Sequence, residues 1–184
     1  MKAAPNWVDD VLAFWFSELE PQQWFTKSDE TDAMITHRFA AQHHELSGAV
    51  IEDLTVDART ALAAIVVLDQ FPRNMFRGSP RSFASDAKAL GLAKLMVERG
   101  LDQELPDRER VFVYLPYEHS EDLADQDASV ALISCLGDER YTKFAEDHRK
   151  VIREFGRFPH RNVILGRVST PDEAAFLAKP GSSF

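Results

Sequence analysis

The chain has a single cysteine, Cys135, in 184 residues, which excludes an intrachain disulfide and any metal site built on clustered cysteines. No apolar run approaches the ~18 residues of a membrane span. The N-terminus, MKAAPNWVDD, turns acidic where a secretory signal needs an apolar stretch. These absences predict a cytoplasmic protein with no membrane partner. There is no P-loop and no G-x-G-x-x-G, so neither standard nucleotide cradle is present, and G-x-S-x-G and H-E-x-x-H are missing as well. Basic side chains are the minority: 21 Lys and Arg against 30 Asp and Glu leave a formal charge of -9, a field that repels nucleic acid. No linker or low-complexity tract divides the chain, which predicts one domain over residues 1–184.

What the sequence does have is bulk and helical periodicity. Thirteen Phe and three Trp suffice for a core without covalent staples. Trp7, Val8, Val11, Leu12, Trp15 and Phe16 form the buried stripe of a helix beginning near Pro5 and Asn6. A second helix over about 28–47 turns Met34, Ile35, Phe39 and Leu46 inward and His37, Arg38, His43 and His44 outward. A third, from an Asp57 cap to Gln70, is apolar almost all round and should be central, with Pro72 stopping it. A fourth, over about 83–99, closes on Gly100. A fifth starts after Pro106, should kink or break at Leu115 and Pro116, and runs on to Gly137. Within it Cys135 reads as a buried, inert thiol. A sixth covers about 138–155, and Thr170, Pro171 and Glu173 sign a last short helix. No stretch alternates with period two. The predicted class is all-α: stacked antiparallel helical hairpins of TPR-like kind, or alternatively a compact bundle, since no clean 34-residue period exists.

Charge is distributed unevenly. Residues 101–139 hold eleven acidic and two basic side chains, whereas 140–168 hold eight basic and three acidic. Three polar clusters stand out. In the first, Asp69, Arg73, Asn74 and Arg77 surround the Phe71-Pro72 turn; they either line a ligand site or satisfy a helix end. In the second, Glu118, His119 and Glu121 follow Pro116, with His119 a candidate base and either glutamate its orienter. The spacing is E-H-x-E, so a metal would need further ligands such as His148 or His160. In the third, His160, Arg161 and Asn162 follow Phe158-Pro159, with His148 and Arg153 on the helix before and Arg167 after, a composition suited to carboxylate or phosphate. The arginines could equally pair with the acidic segment inside the molecule.

The motifs Leu68 to Asn74, Pro116 to Glu121, and Arg157 to Asn162 leading into Leu165 to Thr170 resemble, in this order, a bacterial domain-of-unknown-function family, number 924, described as TPR-like. Tyr117 stands where that pattern carries Phe. The resemblance spans nearly the whole chain and implies an all-helical, TPR-like fold; it implies no reaction, substrate or cofactor.

Three functional readings compete. The first is a site for an anionic small molecule, enzymatic or not, with Glu118, His119 and Glu121 as catalytic candidates. In it Asp69, Arg73, Asn74, Arg77, His160, Arg161 and Asn162 bind the ligand, and these seven with Glu118 and His119 converge on one end of the helical stack above Phe71, Phe76, Tyr117 and Phe158. The second is a TPR-like module gripping an acidic peptide. The third is purely structural, each motif capping helices. No cofactor or nucleic-acid partner is expected.

Overall fold

The computed structural model describes residues 6–182. Every regular element among them is helical, and the described residues divide into two compact units. The first runs through Arg77 and includes Arg81–Pro116; the second comprises Gly78–Pro80 and everything from Tyr117 onward. Pro5, where the first helix was expected to begin, lies outside the described residues. Among those described, no helix is long and apolar enough to cross a membrane.

In the first unit, α1 (Asn6–Ala13) passes into a single π-helical turn, Phe14–Glu18, closed by the Leu19 amide on the Phe14 carbonyl at 3.1 Å. The Trp15 carbonyl within this turn accepts the Trp24 indole N–H at 2.7 Å. Helix α2 (Asp29–Gly48) starts on Ser28, whose hydroxyl accepts from the Thr31 amide. After the short α3 (Ile51–Leu54), Asp57 caps α4 (Ala58–Ile65) by accepting the Thr60 amide at 2.8 Å. Every residue from Ala61 to Leu68 is fully buried, so this is the central helix that the all-round apolar pattern required. Trp15, Phe39 and Phe71 pack around it, with Phe39 and Phe71 ring centroids 4.8 Å apart and Trp15 edge-on to Phe71 at 5.6 Å.

Pro72 does not stop this helix. A π-helical turn, Val66–Gln70, intervenes and the chain continues as α5 (Phe71–Met75), with Pro72 in its first turn, where a missing amide is tolerated. The carbonyl that a residue 72 amide would have served, that of Leu68, accepts the Ser85 hydroxyl instead, and the next one, Asp69, accepts Arg73 Nη1. Helix α6 (Asp86–Arg99) begins three residues later than expected, because 80–83 form a 3₁₀ turn, and ends on Gly100 at φ 70°. Helix α7 (Asp107–Glu118) is likewise unbroken at Pro116, which lies near its C-terminal end; the chain leaves the helix only after Glu118.

In the second unit, α8 (Leu123–Ser134) and α9 (Glu139–Phe155) form a hairpin joined by residues 135–138. Asp122 and Asp138 cap their starts, and Gly156 closes α9 at φ 68°. Asp127 pairs with Arg149 at 3.3 Å, so part of the acid-rich segment answers the base-rich one across the hairpin. Cys135 is exposed, not buried: α8 ends at Ser134, and while Ile133 turns into the core, Cys135 follows the chain out into the loop. Phe158 fills the core beside Val151 and Ile152, and α10 (Pro171–Leu177) starts on the reciprocal Thr170–Glu173 capping box.

The Leu68 carbonyl gives a direct test. Ser85→Ala should cost about 1 kcal/mol, a fall in Tm of a few degrees. In a Pro72→Ala background, where residue 72 regains its amide, the same change should cost less. Equal costs in both backgrounds would show that the hydroxyl does not replace the proline's missing donor.

Candidate functional site

The polar residues around the first Phe-Pro turn are tied to carboxylates of their own unit. Arg73 meets Asp86 through both terminal nitrogens at 3.0 and 3.2 Å, with the Asp69 carboxylate at 3.7 Å. Asp69 is wholly buried and accepts the Gln70 amide at 2.6 Å. Asp32, in the first turn of α2, accepts from Asn74 at 2.7 Å and from Arg77 at 2.8 Å through both of its oxygens. Burial opposes ionisation of Asp32, but these donors outweigh it and hold the carboxyl below its ordinary range. Four of the expected ligand-binding residues therefore form a helix-capping and ion-pair network, with Asp32 and Asp86 as partners that the sequence did not single out.

The second and third motifs fall in the second unit, and they separate into two layers. The outer layer is a closed loop clamp. Glu121 accepts the Phe158 amide at 2.7 Å and both terminal nitrogens of Arg167 at 2.8 and 3.0 Å. Arg167 Nε donates to Asn162 Oδ1 at 2.9 Å, and Asn162 Nδ2 reaches Ser169 and Glu173. Arg157 completes the chain with two bonds to Glu173, at 2.6 and 2.8 Å. Arg157 and the Thr170 amide bring the Glu173 pKa down to about 2. Glu121 is also lowered, the Arg167 and Phe158 donors overcoming its partial burial. Both polar ends of Asn162 are engaged, and Glu121 serves the loop as an acceptor.

The inner layer gathers about the Phe158 ring. The His148 ring stands edge-on to it at 5.6 Å, the His160 ring is also at 5.6 Å, and the Arg161 guanidinium lies over it at 4.5 Å. Arg161 is only 7% exposed. Glu118, equally buried, places Oε1 3.4 Å from His148 Nδ1. That same nitrogen lies 2.8 Å from the Phe144 carbonyl, so two oxygens face it and the neutral ring carries its proton there. Nε2 is then the lone-pair nitrogen. Burial pushes the His148 pKa down to about 3; the Phe144 carbonyl works against this, and His119, His160 and Arg161 add to it. His119 thus belongs to the same electrostatic group. Among the described residues no three His, Cys, Asp or Glu side chains gather into a metal-holding group.

The family described as "Bacterial protein of unknown function (DUF924)" matches residues 11–181. The chain belongs to this family. A solved structure of a protein of unknown function, ATU0120 from Agrobacterium tumefaciens, is similar to this DUF924 protein over 93% of this chain and 96% of that one, with 38% identity and a TM-score of 0.88. No curated protein matches it. In this DUF924 chain the first family motif builds the Arg73–Asp86 and Asn74–Asp32 links, while the second and third supply the two layers around Phe158. His148 is the residue that motif reading undervalued. It lies on α9, outside any motif, and only its spacing of three and four residues from Val151 and Ile152 hinted that it faces inward.

His148 makes stability depend on pH with a definite sign. Its folded pKa lies below the ordinary value of 6.5, so the unfolded chain binds the extra proton, and stability is lost as pH falls through 6.5 toward about 3. Between pH 7 and 5.5 the loss should be about 1 kcal/mol. His43, half-buried and also lowered by burial and then by Arg81, contributes in the same direction. Urea unfolding across this range should show the slope, and His148→Gln should reduce it by at least half; an unchanged slope in the variant would rule out a buried neutral His148.

Proposed function

We propose that the inner layer of the second unit is a binding site for a small organic anion, with Arg161 as the charge anchor and His148 as acceptor or base. The observation that carries the reading is the grouping of buried Glu118, His148 and Arg161 with half-buried His119 and His160, with His148, His160 and Arg161 around the Phe158 ring and His148 held neutral. Such a grouping is costly to maintain for packing alone, because a buried arginine and a depressed histidine each lower stability relative to apolar side chains. Arg73, Arg77, Arg157 and Arg167 each grip a carboxylate through two nitrogens, which fixes them in the fold.

Phe158 supports both cation and ligand, since its face attracts the guanidinium while its edge contacts imidazole. An anion bridging Arg161 and the His119/His160 side would put an acidic proton or hydroxyl within reach of a nitrogen base. If a reaction occurs, His148 Nε2 is the base, with Glu118 and the Phe144 carbonyl orienting the ring through Nδ1. In this reading His119, the base expected from sequence, helps hold the anion. The fold is read as TPR-like on the strength of the α8–α9 hairpin. The alternative peptide-gripping role has less support, because arginines of the first motif already have internal partners.

Thermal-shift and calorimetric titrations with inorganic phosphate and succinate test the proposal. At least one should raise Tm and bind. Arg161→Gln should weaken binding at least ~10-fold, as loss of a charge-assisted bond does. Arg77→Gln should lower Tm yet leave affinity unchanged. If Arg161→Gln does not fold, His160→Ala replaces it. No anion binding, or full affinity in the Arg161 and His160 variants, would overturn the reading.

A further inference from the structure

Helix α8 carries two buried polar atoms that have no hydrogen-bond partner in the protein: Gln126 Oε1 and Ser129 Oγ. Both residues are completely buried, and at a spacing of three they share one face of the helix. The orientation of the Gln126 amide is fixed by chemistry. Its Nε2 donates to the Glu118 carbonyl at 2.6 Å and the Ser120 carbonyl at 2.7 Å, with the Tyr117 carbonyl at 3.5 Å. Only an NH₂ group can face three carbonyls, so Oε1 is turned the other way as a pinned acceptor.

The position of this acceptor ties it to the site. Gln126 grips the backbone of Glu118, the residue whose carboxylate lies beside His148. The Asp127–Arg149 ion pair sets the register of the antiparallel α8–α9 hairpin, which puts Gln126 at about the level of Lys150 and Val151 and Ser129 at about that of Asp147 and His148. Ser129 lies one turn further along, toward the level of Phe144, whose carbonyl holds His148 Nδ1.

A buried acceptor without a partner destabilises a protein unless something else supplies the bond. We propose that Gln126 Oε1 and Ser129 Oγ are the specificity elements of the anion site, so that its ligand is an organic anion bearing a hydrogen-bond donor, a hydroxyl or an amino group, close to the acidic function. This rests on the anion reading above. Arg161 would take the charge, and the α8 face would take the donor. A site built to bond a donor rejects the analogue that lacks one, because its own acceptor is then left unpaired. Gln126 touches the ligand only through Oε1; its amide nitrogen positions the Glu118 segment.

Calorimetry with succinate, malate and aspartate provides the test, the three differing only in the absence of a donor, a hydroxyl, or an amino group. Malate or aspartate should bind at least ~10-fold more tightly than succinate, and whichever of the two wins identifies the donor. Ser129→Ala should narrow that gap while leaving the ligand-free Tm unchanged or raised, since its hydroxyl has no bond in the protein to lose. Equal binding of all three anions would overturn the inference and leave the anion reading standing; no binding of any would overturn both. A lower ligand-free Tm in Ser129→Ala with the gap intact would assign the hydroxyl to a buried water only, and would also overturn it.

Discussion

The constraint on which this structure depends is that a proline inside or beside a helix leaves a buried carbonyl or amide without its regular partner. Pro72 cannot donate to the Leu68 carbonyl, and Ser85 does. The two π-helical turns add their own demands, met at Trp15 by the Trp24 indole. At the end of α7 the carbonyls of Glu118 and Ser120 fall to Gln126, and beside Pro159 the Phe158 amide falls to Glu121. Side chains distant in sequence are thereby committed to fixed positions. The polar motifs of this family are first of all the answers to that demand.

Electrostatics follows from the same commitment. In a net acidic chain arginine is repeatedly placed beside a carboxylate: half-buried Arg73 with Asp86, Arg157 with Glu173 and Arg167 with Glu121, and the more exposed Arg77 with Asp32. Each pair joins two segments: Arg73–Asp86 ties α5 to the start of α6, Arg77–Asp32 and Arg157–Glu173 each tie a loop to a helix, and Arg167–Glu121 ties two loops. The geometries are two-pronged, which adds direction to the attraction. These pairs place loops well and recognise little beyond the protein itself.

Much of the fold was legible in the sequence because helices announce their own ends. Asp57 and Thr170 cap the helices they were expected to cap, the second helix starts on Ser28 at its expected bound, and Gly100 and Gly156 close theirs in the left-handed conformation. The central helix was legible because apolar residues on all sides leave no solvent face. Pro72 and Pro116 misled for one reason: proline removes a donor locally, but whether the helix stops depends on a replacement donor, and Ser85 is thirteen residues away from Pro72 along the chain and belongs to another helix start. The site was legible as a set of residue types but not as a partition. Sequence cannot say that Asp32 accepts from Asn74 and Arg77, or that Glu121 serves a loop while Glu118 meets His148. Those are facts of packing between distant segments, and none has a spacing signature.

What separates the Phe158 cluster from the other polar groups is the direction of its energetic imbalance. In the clamps every carboxylate is matched by donors, so Glu121 and Glu173 are shifted toward their charged forms and contribute stability at neutral pH. At His148 the balance runs the other way: burial comes first, and the neighbouring cationic groups add to it, so the ring is kept from a charge it would carry easily in water. On the adjoining helix Gln126 and Ser129 keep polar atoms that the protein leaves unbonded. A fold that elsewhere supplies a partner for each freed carbonyl could supply these as well, by a single apolar or complementary side chain. Gln126 Oε1 and Ser129 Oγ are the polar atoms of this helix whose hydrogen bonds the protein does not itself supply.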